Sequence, residues 1–264
     1  MSNESEGRRL ATETRAKANL DSAPIPDVFE LASAVAGADV LSVDAPEGEH
    51  GLSTVNPHTG GIVVAVATTP HPMRQRSTVA HELGHVIASD LEAEGSFTPG
   101  DRTDAEVRAD AFARHLLLPL VAVKRFTGES IGEAHLSRLV QEYGVSPAIA
   151  AIQLREARLI DVDTCKAWMS VSAATLAARH GWLSQYRILA EASLRPRAPQ
   201  RLMERAVTAV QAGVIDLDEA AEWYGLDAAD LRDGLGIELA AERDDDLEDD
   251  YGIGKPLFGG AASS

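Results

Sequence analysis

The pentapeptide His81-Glu82-Leu83-Gly84-His85 constrains this chain more than any other stretch. Two imidazoles four residues apart lie on one helix face about a turn apart, the spacing that lets both reach one zinc ion. The flanking residues agree with a helix: from Arg74 to about Ser89, the residues Val79, Leu83, Val86 and Ile87 gather on one side of the wheel. Glu82 is offset toward the metal's open side and is the candidate catalytic base. The single cysteine, Cys165, can build neither an intrachain disulfide nor a thiolate cluster, so the metal must take His and carboxylate ligands. Two neutral imidazoles call for a third ligand carrying negative charge. That set leaves one coordination position for water, the plan of a catalytic site rather than a closed structural one.

The best third ligand is Glu106. A second helix begins at Thr103 and runs through Ala109, Phe112, Leu116 and Leu117 to a stop near Pro119. On its wheel Glu106, Asp110, Ala113 and Leu117 share a side, so two carboxylates occupy a face that is otherwise small and apolar. Burying them unpaired would cost several kcal/mol or more, and zinc removes that cost. Asp110, one turn after Glu106, is placed to accept a hydrogen bond from a ligand histidine and fix its tautomer. Two blander readings compete. Thr103 to Glu106 also reads as a capping box, and Asp110 can pair with Arg114 on the surface. With His81, His85 and Glu106 on zinc, the chemistry is amide hydrolysis: an acidified water, a polarised carbonyl, and Glu82 moving the proton to the leaving amine. No oxyanion stabiliser is assigned: His115 falls on the opposite face of its helix from Glu106 and is a poor candidate, and Tyr143 is left as an open one. His50, His58, His71, His135 and His180 show no ligand spacing and are expected in surface or packing roles.

Along the chain, residues 1–24 lack an apolar period and read as a flexible leader. Residues 25–160 form the metal-binding domain. Asp27 caps a helix through Val28, Leu31, Ala32 and Val35, Asp39 to Val43 is a short strand, Glu47 to Gly60 is loop-rich, and Gly61 to Ala67 is a β-branched strand. Gly144-Val145-Ser146-Pro147 splits two helices by the usual terminators and caps. Residues 161–240 read as a helical C-terminal domain, and EYGVSPAIAAIQL from Glu142 shares a register with WYGLDAADLRDGL from Trp223, two helix-turn-helix-like units. Between them lies a basic cluster, Arg187, Arg195, Arg197, Arg201 and Arg205. Residues 241–264 hold an acidic block and read as a disordered tail.

HELGH followed by Glu106-xx-Ala109-Asp110-x-Phe112-Ala113-xx-Leu116-Leu117-x-Pro119 resembles the ImmA/IrrE family of metallo-endopeptidases. The lead-in Arg74-Gln75-Arg76-Ser77-Thr78-Val79-Ala80 and the segment GVSPAIAAIQLREARLI fit the same family, so the resemblance spans about residues 25–160. It implies a small gluzincin-like α+β domain, followed here by a mostly helical C-terminal region, with zinc on His81, His85 and Glu106 and Glu82 as base. It also implies a substrate: site-specific cleavage of a helix-turn-helix transcriptional repressor, which releases the genes it silences. The strand Gly61 to Ala67 would suit an extended substrate segment if it lies at a sheet edge, and is otherwise an ordinary core strand.

Net charge bears on the alternatives. At −17 over 264 residues the chain repels polyphosphate, so DNA contact would need a locally basic surface. The second helix-turn-helix-like unit carries Asp227, Asp230 and Asp233 against Arg232 alone, while the first has Arg155 and Arg158. A regulatory protein- or DNA-binding module with a vestigial or structural zinc site is the alternative function. A deformylase-like amidase is a weaker one, because Cys165 lies outside the blocks that would supply its third ligand. No apolar stretch resembles a secretory signal or a membrane span, and the expected compartment is the cytoplasm.

Overall fold

The computed structural model describes residues 2–46, 48–91, 103–126, 128 and 130–236, and the chain divides into two compact units at the Asp216/Leu217 junction. The first unit begins with a correction. Residues 3–17, expected within a flexible leader, form helix α1 (Asn3–Lys17). Ser2 caps it, accepting from the Ser5 amide at 3.3 Å, with Glu4 and Glu6 in the first turn and Arg15 and Lys17 in the last, as the helix dipole favours. Its buried face is Gly7, Ala11, Thr14 and Arg15, a stripe of small and polar residues that no apolar periodicity reveals. A Cβ on Gly7 would run into the carbonyl oxygen of Arg108 and stand 2.9 Å from Ala111 Cβ, so only glycine allows this approach. Arg15, 3% exposed, donates to the carbonyls of Asp21, Ala23 and Leu116.

Asp27 caps α2 (Val28–Ala36) by accepting from the amides of Phe29 and Glu30, and Gly37 ends it in the left-handed region. Three strands follow: β1 (Asp39–Val43), β2 (Gly51–Val55) and β3 (Ile62–Ala67), in the order β1-β3-β2. β2 corrects the expectation of loop over residues 47–60. β3 runs parallel to β1 and antiparallel to β2. It is therefore the interior strand, with Val64 and Val66 in the core, and not an edge. The far side of β1 is bridged by Arg197, which exchanges two backbone hydrogen bonds of 3.0 Å with Ser42. Among the described residues the open edge belongs to β2.

Helix α3 (Pro72–Ala88) carries the HELGH motif and packs on α4 (Asp104–Leu117). Gly84 makes this packing close, since a Cβ there would lie 3.1 Å from Ala109 Cα and from the Phe112 ring. The short α5 (Leu120–Lys124) leads to α6 (Glu133–Tyr143) and α7 (Pro147–Glu156). The junction between α6 and α7 is as the sequence implied: Gly144 left-handed at φ 60°, Ser146 accepting from the Ile149 amide, and Pro147 in the first turn. Phe112, Leu83, Leu116, Leu136, Leu139 and Leu154 are wholly buried at the centre.

The compact unit does not stop at residue 160. Helices α8 (Val162–Met169), α9 (Ala173–Arg179), α10 (Leu183–Ser193) and α11 (Gln200–Gln211) pack onto the same body. Trp182 donates to Ser137 Oγ at 2.9 Å, and Gln75 donates to the Ser193 carbonyl at 3.1 Å. Three members of the arginine cluster serve this docking: Arg197 pairs with Asp27 at 2.7 Å, Arg201 donates to the Gly37 carbonyl, and Arg205 lies 3.6 Å from Asp39. The second unit contains the helix pair α12 (Leu217–Tyr224) and α13 (Ala228–Leu235), with Asp227 capping α13. The architecture is α+β, mostly helical with one small sheet. Among the described residues no helix is long and apolar enough to cross a membrane. The acidic segment 241–264 lies outside the described residues.

Candidate metal centre

α3 and α4 bring together the three residues that spacing selected. His81 Nε2 and His85 Nε2 are 3.1 Å apart, Glu106 Oε2 is 3.2 Å from His81 Nε2, and Glu106 Oε1 is 3.3 Å from His85 Nε2. A tetrahedral zinc ion with bonds near 2.0–2.1 Å separates its ligand atoms by about 3.3 Å, so this triangle has the size zinc requires. The three side chains retain 20, 13 and 31% exposure, which leaves the triangle reachable from solvent.

The capping-box reading of Glu106 is half right. Thr103 Oγ accepts from the Glu106 amide at 3.3 Å, while the Glu106 carboxylate turns to the two imidazoles. Asp110 Oδ1 stands 3.1 Å from His81 Nδ1, the contact expected of a carboxylate that orients a ligand. Arg114, its suggested surface partner, instead pairs with Glu4 and donates to Gln153 Oε1. The pKa of His81 is raised. Burial, the largest single influence, opposes the charged form, and the Asp110 hydrogen bond with the charges of Glu82, Asp110 and Glu106 outweighs it. The centre thus favours positive charge.

Glu82 is nearly buried, at 9% exposure, and its Oε2 accepts from Ser53 Oγ at 2.7 Å. Ser53 sits on β2, pressed close to α3 because a Cβ on Gly51 would lie 2.9 Å from Glu82 Oε1. Sequence periodicity gave no sign of Ser53, since its strand hid in a loop-like stretch. A second addition is Asp90, whose Oδ2 is 3.9 Å from His85 Nδ1 and whose two oxygens accept from Arg108 Nη2 at 2.6 Å. Asp90 did carry a signal: an acid just past a helix C-terminus stands against the dipole and needs a local reason.

Tyr143 is buried and its hydroxyl donates to the Ser22 carbonyl at 3.0 Å, a structural use. Glu4, His115 and Glu156 also bring their ligand atoms within 4.8 Å of one another. Arg8 and Arg114 already pair with the two carboxylates. Gln153 donates its amide N–H to the Leu118 carbonyl and presents that same nitrogen to His115 Nδ1 at 3.2 Å, so the His115 proton resides on Nε2.

An HExxH helix, a carboxylate from the next helix and a strand beside the base define a metallopeptidase-type centre. Comparison with known families agrees: residues 35–155 match the IrrE N-terminal-like domain of the Peptidase_M78 family, in line with the ImmA/IrrE resemblance. The matched segment contains all of β1 to β3, α3 and α4. No curated protein matches the chain.

Proposed function

We propose that this chain is a zinc-dependent endopeptidase that cuts a helix-turn-helix transcriptional repressor and so derepresses the genes it controls. The supporting observation is the triangle of His81, His85 and Glu106 ligand atoms with edges of 3.1 to 3.3 Å, set beside Glu82. His81, His85 and Glu106 hold the metal, and Asp110 fixes the tautomer of His81 so that Nε2 presents its lone pair. Bound there, zinc supplies Lewis acidity, which acidifies water and polarises the scissile carbonyl. Glu82 takes the water proton and returns it to the departing amine, the step that general acid–base catalysis accelerates about 10²–10⁴-fold. Ser53 holds one oxygen of that carboxylate, which keeps the other free for the proton. The open edge of β2 receives an extended peptide by backbone pairing, in a protein expected to work in the cytoplasm. The repressor substrate rests on the family resemblance, and the metal chemistry on the site.

The test is zinc content together with cleavage of a panel of phage-type helix-turn-helix repressors, read by mass spectrometry. Wild type should take up one tight zinc and make one cut. Glu82→Gln should keep the zinc and lose the cut, and His85→Ala should lose both. Full cleavage by Glu82→Gln, or absence of zinc from wild type, overturns the proposal.

A further inference from the structure

The two ligand imidazoles are treated alike on their outer sides. Each turns Nε2 into the triangle and Nδ1 toward an aspartate: His81 to Asp110 at 3.1 Å, His85 to Asp90 at 3.9 Å. Asp90 is not a passing surface charge. It is 17% exposed, its backbone amide is bonded to the His85 carbonyl at 2.9 Å, and Arg108 Nη2 grips both carboxylate oxygens. Arg108 is 16% exposed and also faces Glu6 of α1 at 3.5 Å. The line Glu6, Arg108, Asp90, His85 therefore joins α1, which lies outside the matched segment 35–155, to a ligand inside it.

We infer that Asp90 is the positioning residue of His85, and that Arg108, braced by α1 through Glu6, holds its carboxylate in place. This rests on the metal reading given above. With a carboxylate facing Nδ1, the neutral imidazole keeps its proton on that nitrogen and leaves Nε2 unprotonated for the metal. A closure of about 1 Å brings the pair to hydrogen-bond length. Arg108 prevents the carboxylate from rotating away, because its other oxygen is held by the same guanidinium nitrogen. An amide at position 90 would do the reverse, offering N–H to Nδ1 and favouring the tautomer whose Nε2 is blocked.

The test uses the full chain and two metals. Zn²⁺ affinity is measured by competition with a chromophoric chelator, and the ligand field by the visible spectrum of the Co²⁺-loaded protein. Asp90→Asn should weaken zinc about 10–100-fold and shift the cobalt bands, and Asp90→Glu should recover part of both. Arg108→Gln should act in the same direction with smaller size, and Glu6→Gln should cost about twofold, as for an exposed ion pair. Circular dichroism of the metal-free proteins identifies any variant that does not fold. Should Asp90→Asn be lost that way, Arg108→Gln carries the test. Wild-type zinc affinity and an unchanged cobalt spectrum in the folded variants overturn the inference while leaving the metal site standing. Absence of zinc from wild type, or its retention in His85→Ala, removes the metal reading and this inference with it.

Discussion

His115 is a histidine that the fold keeps neutral. Burial first, then the charges of Arg114 and Arg8, push its pKa down to about 3, while an unfolded chain titrates it near 6.5. Above about pH 6.5 neither state holds the proton and the group contributes nothing to pH dependence. As pH falls from there toward 3 the unfolded chain takes up a proton that the fold refuses, so stability is lost at up to about 1.4 kcal/mol per pH unit. Between pH 7 and pH 5, urea unfolding of the metal-free protein should show wild type losing up to about 2 kcal/mol more than His115→Gln. Parallel losses in the two proteins would show that His115 is not excluded from protonation. The contrast with His81 shows what was legible at this scale. Spacing on a helix set the candidate ligand histidines, His81 and His85, apart from His115, because side chains three and four apart share a face whatever the rest of the protein does. Asp90, Arg108 and Ser53 reach the centre from a helix end, from the far flank of α4 and from a strand, through contacts that no local repeat encodes.

The helix pair α1 and α4 carries the closest packing described above, and Gly7 is its tightest point. Gly7→Ala should destabilise the protein by about 1–2 kcal/mol, the cost of overpacking less the gain in helix propensity. Thermal unfolding against the exposed control Glu13→Ala checks this; an equal or higher melting temperature for Gly7→Ala would mean that α1 does not sit on α4 as described. The same pair explains why α1 was missed. A helix is recognised by an apolar stripe, and α1 buries glycine, alanine, threonine and an arginine whose charge is spent on three carbonyls. α3 and α4 were readable because α3 buries Val79 and Leu83, and α4 buries Phe112, Leu116 and Leu117, at helical spacing. β2 was not, because its five residues include two glycine- and serine-class positions and most of them stay partly exposed. β3 was recognised as a strand, but its interior place depended on the pairing of β2, which β3 alone does not encode.

Across the whole molecule, metal and fold should be linked. Zinc at about a thousand times its Kd adds about 4 kcal/mol to the state that binds it, which for a unit of about 200 residues raises its melting temperature by roughly 8–16 °C. Calorimetry with and without zinc should show this rise in wild type and none in His85→Ala, and a rise in both would place the metal elsewhere. The compact unit continues past residue 160 because Cys165, Leu176, Ala177 and Trp182 join the common core, with long-range polar contacts such as Trp182 on Ser137 and Arg197 on Asp27 added to it. No pattern within either segment announces them. The docking of α1 on α4 also sets an order of events during synthesis. α1 leaves the ribosome about a hundred residues before its partner, and at 5–20 residues per second it waits on the order of 5–20 s for the surface it covers. With seven charged side chains among its fifteen residues it can wait in water without sticking to other chains. Glu106 and the groove for Gly7 then arrive together on one helix, so a newborn chain completes its candidate metal triangle and seats α1 in the same moment.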